Sequence, residues 1–397
     1  MDLAVSFLSS GMPGRSTLGL REEQMAETAP DLTGVIFQMT KGPYQNNGAA
    51  PWYTQTSIGT PPQNLKFAID TGTNILWCTS SMCAPDGCQH YSGGRFYWGS
   101  SSTFTWINKS YIPFSFGPWG TMMVVTGKDV LGMPNASPMP MAFYLSAQYS
   151  GPQFAQLDWD GGLGIPSGSA YVQQGNSFIV ATLMNQGTIS PNSPYVSFNW
   201  DPNTRRGSCQ IGGFDPSQYI PTEGIFMPWS PYTQFKGVEY IWSTALDSYA
   251  VGGTVLATDI QFCLDSGSSQ FKGDDTLMNR TLAMVGPGGP PVTLALNGGQ
   301  MTITSDMYMV EIEAGPDQGK DLPQFNPLGL TNLALVGSVV MENCYTIFGY
   351  TPSYAENGEV VLSPYGMWAF NKPGGPKIIT RPSSNLELPG PKDVIRY

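Results

Sequence analysis

Two short segments of the chain, almost two hundred residues apart, repeat one pattern. Residues 67–74 read FAIDTGTN and residues 262–269 read FCLDSGSS. In each segment an apolar, strand-like run delivers one aspartate, Asp70 or Asp265, into a turn of hydroxyl residues and glycine. Two carboxylates brought together by an internal twofold can share one proton, so that one acts as an acid and the other as a base toward the same water. The duplication predicts an acid–base hydrolase built from two similar halves.

A second pair of segments extends the duplication. Residues 160–165, DGGLGI, follow the first Asp turn, and residues 333–338, LALVGS, follow the second. Both segments place a glycine directly after apolar residues, where another stretch of backbone can approach closely. We therefore expect each half to combine an Asp turn with a glycine-bearing partner strand.

The composition favours a mostly β protein. The chain has 397 residues, enough for two or three domains of roughly 100–200 residues each. Charged residues make up 12% of it, against about 25% in ordinary soluble domains, while glycine and proline are plentiful. Many short strands joined by tight turns fit this composition. Helical spacing occurs at residues 177–186 and 274–284, and we expect these helices to be minor and to lie at the surface.

The charge excludes some partners. The net charge of −11 and the pI near 4.5 argue against nucleic acid and anionic membranes, because both require basic patches. No apolar run approaches the roughly 18 residues that span a bilayer, so a soluble protein is expected. Residues 3–8 are mostly apolar, but Asp2 stands where a secretory signal would be basic, so a signal peptide is not evident.

Histidine and cysteine chemistry is disfavoured. Any Ser-His-Asp or Cys-His mechanism must use His90, the single histidine, which we interpret as a solvated loop residue. Cys78, Cys83 and Cys88 recur every five residues, unlike common zinc-binding pairs, so no metal site is expected. A Cys83–Cys88 disulfide closing a small loop is favoured in an oxidising compartment. The remaining cysteines are interpreted as buried thiols, although their pairing stays open: Cys209, Cys263 and Cys344.

The chain resembles the pepsin-like aspartic proteases. Besides the two Asp turns, the resemblance rests on residues 58–63 (IGTPPQ), Trp77 and residues 211–215 (IGGFD), and it covers most of residues 35–370 in consistent order. Cys83 and Cys88 fall where the family places its first small-loop disulfide. The resemblance implies a mostly β, bilobal, pepsin-like acid protease fold, in which two lobes related by a pseudo-twofold enclose a cleft.

The same resemblance implies roles for individual residues. Asp70 and Asp265 would hold one proton and one water between them. The dyad would be supported by the other residues of the two turns: Thr71, Gly72, Thr73, Ser266, Gly267 and Ser268. Among these, Thr71 and Ser266 would brace the turns against each other, and Thr73 and Ser268 would hydrogen-bond the outer carboxylate oxygens. The flap and cleft would include Phe116, Gly117, Trp119 and Trp77.

Two positions depart from the family pattern. Phe116 stands where the flap normally carries a tyrosine that hydrogen-bonds the indole of Trp77, so this indole needs another partner. Ser338 stands where the second glycine-bearing strand is normally followed by aspartate, and a change of charge near the dyad can move its pH range.

The leading prediction is an endopeptidase that cuts between apolar residues, at acidic pH, without cofactor or metal. It should be inhibited by pepstatin-type compounds, act as a monomer and be secreted or extracellular, with an intracellular location as the alternative. The rival hypothesis is a repurposed cleft used for small-molecule acid–base chemistry, for binding or as an inhibitor module. The predicted organisation is a tail or leader remnant at 1–33, a lobe with Asp70 and the flap at 34–196, a lobe with Asp265 at 197–385 and a tail at 386–397.

Overall fold

The computed structural model describes residues 34–84 and 86–390, and the backbone of Ile395–Arg396. The prediction for residues 1–33 lies outside the described residues, as does part of that for the C-terminal tail. The elements of the first half are β1 (Val35–Lys41), β2 (Trp52–Ile58), β3 (Gln63–Asp70), β4 (Leu76–Thr79), β5 (Thr105–Ser115), β6 (Thr121–Met133), β7 (Ala136–Ser150), β8 (Gly161–Gly164), α1 (Ile179–Asn185), β9 (Tyr195–Asp201) and β10 (Arg206–Ile211).

The second half is also dominated by strands. Its elements are β11 (Gly224–Pro228), β12 (Ser243–Val251), β13 (Thr254–Leu264), β14 (Phe271–Gly273), α2 (Asp275–Leu282), β15 (Val292–Leu296), β16 (Gly299–Ile303), α3 (Ser305–Tyr308), β17 (Met309–Glu311), β18 (Asp321–Pro323), β19 (Phe325–Pro327), β20 (Leu333–Val336), α4 (Ser338–Met341), β21 (Tyr345–Tyr354), β22 (Val360–Phe370), β23 (Ile379–Arg381) and β24 (Ile395–Arg396).

Both predicted helices are present, but the expectation that they lie at the surface is wrong for the first. The buried residues of α1 lie on most of its sides: Ile179, Val180, Ala181, Leu183 and Met184. A helix that is apolar nearly all round is buried in the core rather than half exposed. By contrast, α2 is preceded by an N-cap residue, Asp274, whose side chain accepts a hydrogen bond from the Leu277 N–H at 3.0 Å. Only part of α2 is buried.

The strands form two large sheets, and each sheet carries one of the two aspartates. The 14-stranded sheet has the order β11-β22-β21-β9-β10-β1-β2-β3-β8-β4-β7-β6-β5, with β24 paired to β21. The 8-stranded sheet has the order β19-β14-β20-β13-β12-β15-β16-β23, and β17 pairs with β18 separately. Asp70 ends β3 in the first sheet, and Asp265 directly follows β13 in the second. The mostly β, two-lobed architecture confirms the predicted fold class.

The internal duplication is visible in the pairing around each aspartate. Strand β3 pairs in parallel with β8, which pairs antiparallel with β4, the strand after the first Asp turn. Strand β13 pairs in parallel with β20, which pairs antiparallel with β14, the strand after the second turn. The same three-strand unit therefore occurs in both sheets, and it contains the Asp turn and the partner strand that the sequence predicts for each half.

Glycines of the partner strands allow the close backbone approaches expected from the sequence. A Cβ atom on Gly164 would lie 2.4 Å from the Ile75 carbonyl oxygen, and one on Gly337 would lie 2.3 Å from the Ser268 carbonyl oxygen. Real Cβ atoms do not approach that closely, so each partner strand requires glycine where it packs behind its Asp turn.

The two halves of the chain are also joined through one sheet. Strand β1 pairs with both β2 and β10, and β10 leads through β9 to β21 and β22 from the end of the chain. Strand β9 runs through the predicted boundary between residues 196 and 197. The division into lobes at that point stays a prediction.

Candidate active site

The two aspartates occupy equivalent, buried positions at the starts of their turns. Each has 7% of its surface exposed. The Gly72 N–H donates a hydrogen bond to Asp70 Oδ1 at 2.8 Å, and the Gly267 N–H donates one to Asp265 Oδ1 at 2.9 Å. In both turns a backbone N–H two residues downstream therefore fixes one carboxyl oxygen, a typical use of aspartate in a turn.

The hydroxyl residues after the aspartates hydrogen-bond across the two turns. The Thr71 N–H donates to Ser266 Oγ at 2.9 Å, and the Ser266 N–H donates to Thr71 Oγ1 at 2.9 Å. The hydroxyl of Thr71 donates to the Leu264 carbonyl at 3.2 Å, and that of Ser266 donates to the Ile69 carbonyl at 2.6 Å. These four buried bonds hold the ends of β3 and β13 at a fixed separation.

The two carboxyl groups are adjacent because each rests against the glycine of the other turn. A Cβ atom on Gly72 would lie 2.4 Å from the carboxyl oxygens of Asp265, and one on Gly267 would lie 2.2 Å from Asp70 Oδ1. Burial raises the pKa of Asp70 well above its ordinary value, and the charge of Asp265 raises it further. The pair therefore tends to retain a proton.

The outer carboxyl oxygens have different surroundings. Ser268 Oγ donates to Asp265 Oδ2 at 2.7 Å. Thr73, the equivalent residue of the first turn, has a buried hydroxyl with no hydrogen-bond partner within the described part of the chain. The resemblance implied a hydrogen bond from each residue, but the structure contains only the one from Ser268.

One charged residue next to the two carboxyls, Lys272, was not among the site residues predicted from the sequence. Lys272 lies in β14, is 4% exposed, and donates from Nζ to Ser268 Oγ at 2.9 Å. Burial lowers its pKa to about 8, an effect opposed by the charges of Asp265 and Asp70. The sequence held one signal, a lysine between Phe271 and Gly273 in a strand that has no other polar side chain. Lysine is almost never fully buried unless it is paired, so a lysine at this place indicates a nearby partner.

The predicted flap is the hairpin of β5 and β6, closed by a short helical turn at Gly117–Trp119. Phe116 packs on Trp77, with ring centroids 5.9 Å apart, and the Trp77 Nε1–H is buried without a partner among the residues described. The indole of a second tryptophan, Trp119, does have a partner: its Nε1–H donates to the carbonyl of Asn47 at 2.9 Å. This bond attaches the flap to the loop before β2. Phe116, Gly117 and Trp119 line the cleft, whereas Trp77 lies behind Phe116.

The cleft around the carboxyl groups is mainly apolar, and its walls come from both halves of the chain. Beside Asp70, Asp265 and Lys272, the apolar and aromatic lining residues include Ala49, Trp159, Val238, Tyr240, Ile241, Leu328, Leu330, Leu333 and Leu335. An apolar groove with a few convergent polar groups is typical of a substrate site.

Ser338 lies behind the second Asp turn rather than in the cleft lining. Its N–H donates to the Ser268 carbonyl at 2.8 Å, and its hydroxyl is buried without a partner in the described region. The position that usually carries aspartate is therefore in direct contact with the turn that supports Asp265.

His90 is not the solvated loop residue that the sequence suggested. Its side chain is 1% exposed, and Nε2 lies 2.9 Å from Asp160 Oδ1 while Nδ1 lies 3.0 Å from the Cys88 carbonyl. The expectation was wrong because Asp160, seventy residues away in sequence, folds against this loop. His90 therefore has a hydrogen-bond partner in Asp160 and lies outside the cleft.

The cysteines are arranged as the sequence suggested. Cys83 and Cys88 form a disulfide, with Cα atoms 5.8 Å apart, and the remaining cysteines are buried free thiols: Cys78, Cys209, Cys263 and Cys344. Over the described residues, no group of three or more His, Cys, Asp or Glu side chains is arranged to hold a metal ion. No described helix is both long and apolar enough to cross a membrane.

Comparisons with known proteins agree with this geometry. Residues 51–356 match the family model described as eukaryotic aspartyl protease. Pepsin-2B of Gadus morhua is 26% identical over 338 residues, which cover 81% of this chain and 98% of that protein. Pepsin A of Gallus gallus is 27% identical over 81% of this chain and 86% of its own length. Cathepsin E of Mus musculus is 25% identical over 83% of this chain and 84% of its own length.

The family model spans well over half of the chain and includes both Asp turns, the flap and the two partner strands. The chain belongs to the eukaryotic aspartyl protease family and is an aspartic-type endopeptidase that acts on peptide or protein substrates.

Proposed function

We propose that Asp70 and Asp265 are the catalytic dyad of this endopeptidase. The observation that carries the proposal is the reciprocal packing of two buried carboxyl groups, each against the glycine of the other's turn. Two carboxyls held this close share one proton, because their charges repel when both ionise. The supporting residues are Thr71 and Ser266 between the turns, Gly72 and Gly267 beneath the carboxyls, and Ser268 on the outer oxygen. Thr73 lies at the equivalent place without that bond.

In the proposed mechanism the ionised carboxylate takes a proton from a water molecule, whose oxygen attacks the scissile carbonyl carbon. The protonated carboxyl donates a hydrogen bond to the carbonyl oxygen, where negative charge develops. Breakdown of the tetrahedral intermediate transfers a proton from the dyad to the leaving nitrogen, and the C–N bond breaks. The dyad is left with one proton, ready for the next cycle.

The cleft supports a preference for peptides with apolar residues on both sides of the cut. Val238, Ile241 and Leu330 line the wall contributed by the second half, and Phe116 and Trp119 approach from the flap. Burial of apolar side chains against such walls favours binding by about 25 cal/mol for each Å² removed from water.

Acidic pH is the proposed working range. Burial and the neighbouring Asp265 raise the pKa of Asp70, so its proton is retained through the acidic range and lost as the pH rises. Activity requires one proton on the dyad and one ionised carboxylate. It therefore declines both at high pH, when the proton is lost, and at very low pH, when both carboxyls are protonated.

The test is cleavage of an unfolded protein substrate from strongly acidic to neutral pH by wild type, Asp70→Asn and Asp265→Asn. We expect acid-range cleavage by wild type, inhibition by pepstatin and a loss of at least about 10³-fold in kcat for each variant, because each removes one of two groups that act as a unit. Cleavage retained by either variant would contradict the proposed dyad. No cleavage by correctly folded wild type would favour the repurposed-cleft hypothesis.

We also propose that the protein is secreted or extracellular and monomeric. The disulfide between Cys83 and Cys88 supports an oxidising compartment, where such bonds persist. Fractionation of producing cells and light scattering of the purified protein check the two statements. Recovery in the cytosol would support the intracellular alternative, and a mass of twice the 42.9 kDa chain would contradict the monomer.

A further inference from the structure

Lys272 is a buried cation without a directly contacting counter-ion. It is 4% exposed in β14, and among the described residues it makes no ion pair within 4.0 Å. An ammonium group removed from water is costly unless charge and hydrogen bonds compensate it. The charges of Asp265 and Asp70, which line the same cleft as Lys272, act on the ammonium against the cost of its burial.

A directed chain of hydrogen bonds links the ammonium to one of the two carboxyls. Lys272 Nζ lies 2.9 Å from Ser268 Oγ, and Ser268 Oγ lies 2.7 Å from Asp265 Oδ2. An ammonium can only donate, so the serine hydroxyl accepts from Lys272 and donates to Asp265. A hydroxyl polarised by a cation is a stronger donor, and it favours a charged acceptor over a protonated one.

Asp70 has no corresponding support. The described residues provide its Oδ1 with the Gly72 N–H, but the Thr73 hydroxyl, at the position equivalent to Ser268, has no partner there. The backbone bonds of the two turns are nearly equal, at 2.8 and 2.9 Å. The two carboxyls therefore differ in their side-chain hydrogen bonds: only Asp265 is linked through Ser268 to Lys272.

Charge balance agrees with this asymmetry. A dyad that holds one proton carries one negative charge, and the ammonium of Lys272 makes the buried group neutral as a whole. Other titratable side chains packed around the cluster are uncharged in the acidic range, since burial raises the pKa of each: Tyr44, Tyr240 and Cys263. Lys272 is thus the cation that acts on the dyad from the residues lining the cleft.

We propose that Lys272 is a positioning residue which, acting through Ser268, holds Asp265 as the ionised carboxylate and leaves the shared proton on Asp70. This inference rests on the proposed dyad and adds an assignment within it: Asp265 activates the water, and Asp70 donates to the scissile carbonyl. Lys272 also extends the range over which the dyad carries one proton toward lower pH, because a nearby cation favours the ionised carboxylate.

The experiment is the pH profile of kcat/KM for the full chain, measured with one peptide substrate for wild type, Lys272→Met, Lys272→Arg and Ser268→Ala. The acidic limb reports ionisation of the first carboxyl of the dyad. Removing the cation in Lys272→Met should move this limb to higher pH by about one unit or more. Ser268→Ala should move it in the same direction, and Lys272→Arg, which keeps the charge, should restore a limb close to that of wild type.

The pH profiles distinguish an effect of Lys272 on the charge of the dyad from an effect on the fold alone. A lower kcat with both limbs unmoved in Lys272→Met would assign Lys272 a structural role and overturn the proposal. If Lys272→Met does not fold, as checked by circular dichroism at the assay pH, an unmoved acidic limb in Ser268→Ala overturns it instead. Activity retained by Asp70→Asn would refute the dyad itself, whereas unmoved limbs in variants of an enzyme that depends on both aspartates refute only the role of Lys272.

Discussion

The indole nitrogen of Trp77 is buried behind the flap without a hydrogen-bond partner in the described part of the chain. A buried donor left unsatisfied costs about 1–3 kcal/mol relative to a paired one. The flap side chain Phe116 offers the indole an aromatic contact, with ring centroids 5.9 Å apart, but no acceptor. A single substitution in the flap can therefore test how much this missing hydrogen bond matters.

Phe116→Tyr places a hydroxyl on the flap ring that faces Trp77. We expect the variant to be more stable than wild type by about 1 kcal/mol, the usual net value of one added hydrogen bond. Flap closure should also become more favourable, which lowers KM. Thermal unfolding and peptide kinetics at acidic pH measure the two effects.

The matched control is the same change in a Trp77→Phe background, which has no indole N–H. There Phe116→Tyr should bring no stabilisation. An equal gain in both backgrounds would show that the hydroxyl acts elsewhere, and no gain in either would show that it does not reach the indole.

At the scale of secondary-structure elements, the active site depends on two strands packing closely behind the Asp turns. Gly337, directly after β20, lies so close to the second turn that a Cβ atom would be 2.3 Å from the Ser268 carbonyl oxygen. Because this atom belongs to the backbone, it cannot rotate away as a side chain could. Any side chain at this position must displace the turn that carries Asp265.

Gly337→Ala should therefore reduce stability and activity together. We expect a loss of about 1–3 kcal/mol or more in the free energy of unfolding, the range for added atoms in a packed core. At temperatures where the variant stays folded, kcat should fall, because a shift of the Ser268 turn misplaces the Asp265 carboxyl. Denaturant unfolding and kinetics of the folded fraction check both.

Gly99→Ala is the control for this change, since a Cβ atom there meets no atom within 4 Å. It should leave stability within about 0.5 kcal/mol of wild type, as surface substitutions usually do. If Gly337→Ala behaves like Gly99→Ala, the close approach is not a constraint.

For the molecule as a whole, two neighbouring carboxyls set opposite dependences of stability on pH. Burial raises the pKa of Asp158 to about 7. Burial would also raise the pKa of Asp160, but hydrogen bonds from His90 and the Lys66 N–H outweigh it and hold this pKa below its ordinary value. Asp158 therefore stabilises the fold through its protonated form, and Asp160 does so through its ionised form.

The direction of each pH effect follows from the linkage between proton binding and folding. The contribution of Asp158 is fully present below its unfolded-state pKa of about 3.9 and is lost as the pH rises through about 7. Asp158→Asn, which cannot ionise, should therefore unfold at a higher temperature than wild type at pH 8. The gain should be a few kcal/mol at most, on the order of 1.4 for each unit of pKa shift, and should disappear near pH 4.

Asp160→Asn is expected to show the opposite trend. Its loss of stability should be present above the unfolded-state pKa and should shrink as the pH falls. Thermal melts of both variants and wild type from pH 3 to pH 8 provide the measurement. Parallel melting curves for Asp158→Asn and wild type across that range would contradict the assignment of Asp158.

The repeated segments were sufficient to predict an Asp turn and a glycine-bearing partner strand in each half, since strand runs and glycine turns are local properties of a sequence. The composition predicted a mostly β chain, and the family resemblance supplied the two-lobed fold. They did not predict the continuous sheet in which β1 pairs with β10, because that pairing joins residues far apart in the chain. The helix at 177–186 was predicted, but its burial was not, since burial depends on what packs against it.

The order of residues was enough to place two carboxyls on equivalent turns, to follow them with hydroxyl residues and to require glycine in the partner strands. The environments of those groups arose from long-range packing. Folding buried Lys272 beside Ser268, left Thr73 and Trp77 without partners in the described part of the chain, and paired His90 with Asp160. The reason is physical: residue identity fixes which hydrogen bonds a side chain can make, whereas burial and distant neighbours decide which of them form and which charge the dyad carries.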